Sequence, residues 1–255
     1  MPFYSPVQMT FQRVCAWSGV VCVALFFTAF VVAGFVPPLS PNDSAEKIAR
    51  HYREHQVAVQ VGGLLMLLSG LFYAAFTAVV SAQMRRIPGV HRTVDYAQLA
   101  AGAFGCVTFL IPAMLFEVTA FRPERDPAMT QLLNDFSFIF LVMPWTPFLT
   151  QNWSFAFAIL CDRRERPLFP RWLAYVNLWA PLIFSPSVLL PFFRTGPFSW
   201  RGLFVVWIPA IVFIAQFVVN TWMLLRAIRD EQDQQVIAAD GAGSMDPRDA
   251  PALTA

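Results

Sequence analysis

Six apolar runs, each roughly 20 to 25 residues long, dominate the chain and fall near 14–36, 57–81, 95–119, 131–160, 171–193 and 203–226. A helix rises about 1.5 Å per residue, so runs of this length match a hydrocarbon core ~30 Å thick. Lipid offers no partners for backbone N–H and C=O groups, which leaves the helix, bonded within itself, as the form such a run adopts. With 57% hydrophobic and 13% charged residues in 255, the chain is also too apolar to keep a wet exterior. The expected fold is all-α: a bundle of six transmembrane helices over residues 1–229, followed by 230–255. That last stretch carries six acids against one Arg with no apolar periodicity, and reads as a disordered cytoplasmic tail.

An even number of spans puts both termini on one face. That face would carry eleven of the 18 basic residues, from Arg13 through the Arg85, Arg86, Arg92 and Arg163, Arg164, Arg166, Arg171 groups to Arg226, Arg229 and Arg248. The positive-inside rule therefore places both ends in the cytoplasm. Gly34-Phe-Val-Pro-Pro follows the first run in place of a small-residue cleavage site, so that run reads as a retained span. On the opposite side, Pro41 to Gln56 opens with Asp43 and Ser44 as capping residues and continues in helix formers. This predicts a short outer helix between helices 1 and 2.

Prolines stand inside the last four runs, at Pro112, Pro144, Pro147, Pro181, Pro186, Pro191 and Pro209. Each removes a backbone donor, which a bilayer tolerates only where neighbours or a cavity re-satisfy the chain. Amides collect in the cytoplasmic half of the same runs: Gln98, Gln151, Asn152, Asn177, Gln216 and Asn220. They must turn away from lipid, either as hydrogen-bonding glue between helices or as a polar floor for an apolar ligand. Arg92-x-x-x-Tyr96-x-Gln98-Leu99 also matches Arg171-x-x-x-Tyr175-x-Asn177-Leu178. This pattern fits either a repeated hairpin or generic interfacial chemistry.

Two acids fall well inside apolar runs, Glu117 and Asp135, placed symmetrically about a turn capped by Asp126. They can pair with Arg122 and Arg125, share a proton, or act as acid and base in an outward pocket. The arginines of the same loop favour the first. His51-Tyr-Arg-Glu54-His55 has the H-x-x-E-H spacing that puts two imidazoles and a carboxylate on one helix face, as zinc hydrolysis requires. The same residues are equally ordinary on a solvated helix.

Absences narrow the field. No histidine lies in a span, against bis-His haem, and the single lysine, Lys47, lies outside the spans, against a retinal Schiff base. There is no Walker loop, G-x-S-x-G elbow or Rossmann fingerprint, no cofactor is indicated, and a net charge of +2 without a basic domain argues against nucleic acid. The four cysteines form no CxxC pair, so neither a disulfide framework nor a zinc knuckle is indicated.

Phe35-Val-Pro-Pro, Gln60-Val-Gly-Gly63, Phe121-Arg-Pro-Glu-Arg-Asp126-Pro and Thr195-Gly-Pro-Phe-Ser-Trp200 together resemble a group of six-helix bacterial inner-membrane proteins. The resemblance covers nearly all of the chain before the tail, implies the architecture and a multi-pass location in that membrane, and implies no chemistry. The expected function is to bind or pass an apolar, lipidic small molecule, or to support a membrane partner. The alternative is an enzyme at the outer leaflet using Glu117 and Asp135, with a metal on His51 and His55.

Overall fold

The computed structural model describes residues 5–243, and side chains for 5–236. Six helical segments are long and apolar enough to cross a membrane: Pro6–Val32, Gln56–Met84, Arg92–Phe121, Pro127–Cys161, Arg171–Phe192 and Leu203–Val236. They coincide with the six apolar runs, and no strand occurs among the described residues.

The first two spans are unbroken helices, α1 (Pro6–Val32) and α3 (Gln56–Met84), with the amphipathic α2 (Ala45–Glu54) between them as expected. Ser5 caps α1 in a capping box with Gln8, and the Ser44 side chain accepts from the Lys47 N–H to start α2. α2 turns its apolar stripe, Ile48, Ala49 and Tyr52, inward.

Each of the other four spans is interrupted. The third is α4 (Arg92–Gly105) and α5 (Val107–Phe121), parting at Cys106. The fourth is α6 (Pro127–Val142) and α7 (Thr146–Cys161), separated by Met143-Pro-Trp145. The fifth is α8 (Arg171–Ile183), which tightens into a 3₁₀ stretch at Ser185–Phe192. The sixth opens with a π-turn, Leu203–Trp207, before α9 (Ile208–Gly243).

Proline accounts for three of these directly. Pro144 stops α6, and Pro147 is accepted in the first turn of α7 because the N–H it lacks has no partner there. Pro181, Pro186 and Pro191 deny the fifth span its α-helical ladder. Pro209 lacks the N–H that would close on Val205, and the chain widens so that the Ile208 N–H bonds the Leu203 carbonyl instead.

The spans form a closed ring in chain order, with α1 packed along α3 more extensively than any other pair and α9 returning to α1. Small residues permit the closeness of α1 and α3: a Cβ at Gly62 would lie 2.8 Å from the Ala29 carbonyl oxygen. Buried apolar side chains divide into a core in the terminal half of the bundle, around Tyr73, Phe76, Phe155 and Phe217, and another in the opposite half, around Phe35, Phe116 and Phe138.

The tail expected from residue 230 is helix at its start, since α9 runs on to Gly243. Its first residues are held by the end of α3 and the turn after it: Arg86 pairs with Glu231 at 3.3 Å, and Gln83 donates to the same carboxylate at 3.3 Å. Hydropathy did not register these polar contacts. Residues 244–255 of the expected tail lie outside the described residues.

The two matching segments occupy similar places in the fold, as either a repeated hairpin or generic interfacial chemistry would have it. Arg92 and Arg171 are the first residues of α4 and α8, and the two short helices end after 14 and 13 residues. Tyr96 and Tyr175 face outward while Gln98 and Asn177 are fully buried.

Candidate functional site

All four interruptions meet at one place. Gly105 and Thr108 of the third span, Pro144 and Trp145 of the fourth, Phe184 and Ser187 of the fifth, and Val205, Val206, Trp207 and Pro209 of the sixth line a single cavity of about 210 Å³. The first two spans complete it with Phe26, Phe30 and Tyr73. Irregular backbone inside a membrane is tolerated where it borders a cavity or buried protein, so the breaks and the hollow explain each other. At Gly105 the absence of a side chain lets the Tyr73 ring close in, for a Cβ there would lie 3.0 Å from it.

The wall is aromatic and uncharged. Phe26 meets Phe109 edge to face at 5.4 Å, Phe148 meets Phe184 at 5.1 Å, and Phe138 stacks on Trp200 at 5.5 Å. Trp200 is anchored by its indole N–H, which donates to the Leu39 carbonyl at 2.8 Å. Two wall residues, Val36 and Trp207, are exposed, and they mark where the hollow meets the surface, on the face opposite the termini.

The six expected amides do converge, in a layer of their own. The Gln216 amide donates to both Asn152 and Asn177. Asn177 and Asn220 exchange hydrogen bonds at 3.0 Å in each direction. Gln98 and Gln151 both donate to Thr77, at 3.0 and 2.9 Å, and Tyr73 donates to Gln151. None of the six lines the large cavity: the rings of Tyr73, Phe148 and Phe213 do. Five of them, all but Asn177, instead border a crevice of only about 10 Å³, and the layer bonds helices to one another. Thr77 and Tyr73, which tie this layer together, carried no signal in the sequence beyond being polar inside an apolar run.

The two acids do not take the loop arginines as partners, and one buried oxygen of each accepts no hydrogen bond among the described residues. Neither Glu117 nor Asp135 forms an ion pair among the described residues. Arg125 donates instead to the Val118 carbonyl at 2.6 Å. Glu117 lies against α3, where a Cβ at Gly63 would collide with it. Asp135 interacts electrostatically with Arg194 and adjoins Asn134, whose side-chain oxygen accepts from the Tyr52 hydroxyl at 3.0 Å. Neither acid belongs to the cavity wall. The local loop arginines were the obvious partners by proximity in sequence, but Arg122 is exposed beyond the end of α5 and Arg125 is bonded to the backbone.

His51 and His55 stack at 4.5 Å between ring centres, which keeps their in-plane lone pairs from converging on one ion. Each has a nitrogen within 3.1 Å of a backbone carbonyl, His51 on Ala33 and His55 on its own helix at His51. Glu54 joins neither, and no group of three or more possible metal ligands occurs among the described residues. Burial pushes the His51 pKa below its ordinary value; the Ala33 carbonyl opposes this and His55 adds to it. His51 also stacks on Phe35 at 5.2 Å, a cavity-wall residue, so α2 packs behind that part of the wall.

No protein-family model matches the chain, and comparisons with curated proteins and with solved structures give no match. Function must be argued from the site alone.

Proposed function

We propose that this is a multi-pass protein of a bacterial inner membrane that binds a small apolar molecule in its aromatic cavity. The basic residues gathered at the terminal face support an orientation with both ends in the cytoplasm, so that the cavity serves the outer half of the bilayer. The observation that carries the reading is the meeting of four interrupted spans around one hollow. Single prolines are ordinary in membrane helices, but four breaks converging on one aromatic wall make a ligand chamber.

A hollow near 150 Å³ lined by apolar groups suffices for a benzene-sized guest, and at about 210 Å³ this one is larger. Its wall holds no carboxylate, imidazole, amine or guanidinium, so binding is better supported than acid-base chemistry. The enzymatic alternative needs Glu117 and Asp135 beside a reaction chamber, and neither lines this one.

The test is purification in native lipid particles followed by mass spectrometry, comparing the protein with Ala210→Trp, which fills the cavity from α9. An apolar molecule enriched over bulk lipid with the native protein and lost in the variant is the expected result. Identical small-molecule content in the two samples would overturn the reading.

A further inference from the structure

The way into the cavity can be read from the wall residues that also reach the surface. Toward the loops the wall is sealed: Phe35, Phe138, Trp200 and Val205 line the cavity, and none is more than 5% exposed. The hydrogen bond from the Trp200 indole to the Leu39 carbonyl ties the loop after α1 to the loop before the sixth span. Two loops therefore meet over that end.

The side of the cavity differs. Trp207 and Val36 line it while being 39% and 52% exposed. Trp207 belongs to the outward stripe of the sixth span, four residues from Leu203 and from Ile211, with Ile214 and Val218 continuing it, all exposed. An exposed apolar stripe along a membrane-spanning segment meets acyl chains, not water. The seam between the first and last spans is closed toward the termini, where Thr221 donates to the Ala16 carbonyl at 3.3 Å and Phe26 meets Phe213 at 6.2 Å. Beyond that level Phe30 and Val36 border it on one side and Trp207 and Ala210 on the other, and all four line the cavity. The π-turn that carries Trp207 packs instead on the 3₁₀ stretch of the fifth span, so the seam parts there and the hollow fills the gap.

Resting on the binding function proposed above, we propose that this parted seam is a lateral portal through which a guest dissolved in the bilayer enters the cavity without passing through water. Val36 and Trp207 form its two sides. The guest is then a molecule that partitions into acyl chains before it binds, and its concentration in the membrane governs uptake. A portal residue is passed on the way in and on the way out, so narrowing it slows association and dissociation by the same factor and leaves affinity unchanged. A residue that is wall alone changes affinity instead.

The test follows fluoronaphthalene in phosphatidylcholine nanodiscs holding the full-length protein, by fluorine magnetisation exchange between its bound and bilayer-dissolved signals. Val36→Trp, which narrows the gap, is expected to slow exchange about tenfold, equivalent to ~1.4 kcal/mol in the barrier, with the bound fraction unchanged. Trp207→Ala, which widens it, should speed exchange. Val218→Trp, which adds an indole to the same lipid-facing stripe away from the gap, should leave the rate alone. Trp200→Phe, which unties the loops while keeping a ring on Phe138, should leave it alone as well. Faster exchange in Trp200→Phe, equal slowing in Val218→Trp, or a changed bound fraction at an unchanged rate in Val36→Trp overturns the portal and leaves the cavity reading standing. Absence of a bound signal in the wild type overturns both.

Discussion

Replacing Asn177 by Leu tests whether the amide layer clasps the terminal half of the bundle. The Asn177 side chain donates to Leu173 at 2.9 Å and to Asn220 at 3.0 Å, and accepts from Gln216 and Asn220 at 3.0 Å each. The variant removes three contacts between α8 and α9 and strands two amides in apolar surroundings. Interhelical hydrogen bonds in membranes average about 0.6 kcal/mol each, and each amide left unpaired adds about 1–3 kcal/mol. Part of that cost is recovered because Gln216 still reaches Asn152. The expected loss is about 2–4 kcal/mol, read as a shift of the SDS-induced unfolding curve in mixed micelles. Tyr175→Leu, two residues earlier on the outward face with 55% of the side chain exposed, should cost under about 0.5 kcal/mol. The double variant Asn177→Leu/Asn220→Leu should cost less than the sum of its singles, because the second change removes a group that the first left unpaired. A loss in Asn177→Leu no larger than in Tyr175→Leu, or strict additivity in the double variant, would refute the clasp.

Three further outcomes follow from the same structure. Gly62→Leu drives a side chain into the Ala29 backbone and should cost about 1–3 kcal/mol by forcing α1 from α3, measurable in the same titration. Acid should loosen α2: burial holds His51 below its ordinary value near 6.5, so the opened state binds more protons and stability falls as pH drops through that value, being fully present above it. Protection factors for amide exchange in α2, which correct for the base-catalysed intrinsic rate, should therefore fall from pH 8 to pH 5, and His51→Phe should flatten the change. Glu231→Ala breaks the pair with Arg86 and the bond from Gln83, and limited proteolysis should then cut α9 near residue 230 faster than in wild type.

The parts of this protein legible in its sequence are those governed by transfer free energy and local chemistry. Hydropathy located all six spans, Ser44 started α2 where its capping position indicated, and Pro144 and Pro209 marked real departures from α-helix. The amides were bound to turn inward, because lipid gives Asn177 and Gln216 no partners. What could not be read was the depth at which side chains end. Whether Gln151 touches a ligand depends on the rings of Tyr73 and Phe148 lying above it, and nothing local fixes that. For Glu117, contact with a glycine on α3 outweighed arginines five and eight residues away.

The ring of spans, with α9 lying against α1, bears on how the protein is made. Each new span can settle beside the one synthesised just before it, and no connection has to cross the bundle. The contact between first and last is different, since it must wait until the whole chain has entered the membrane. The chamber shares that timing, because its wall draws Val205, Trp207 and Phe213 from the final span. A chain halted after the fifth span therefore has most of its helices and no closed pocket, and the chamber is completed only with the last segment inserted.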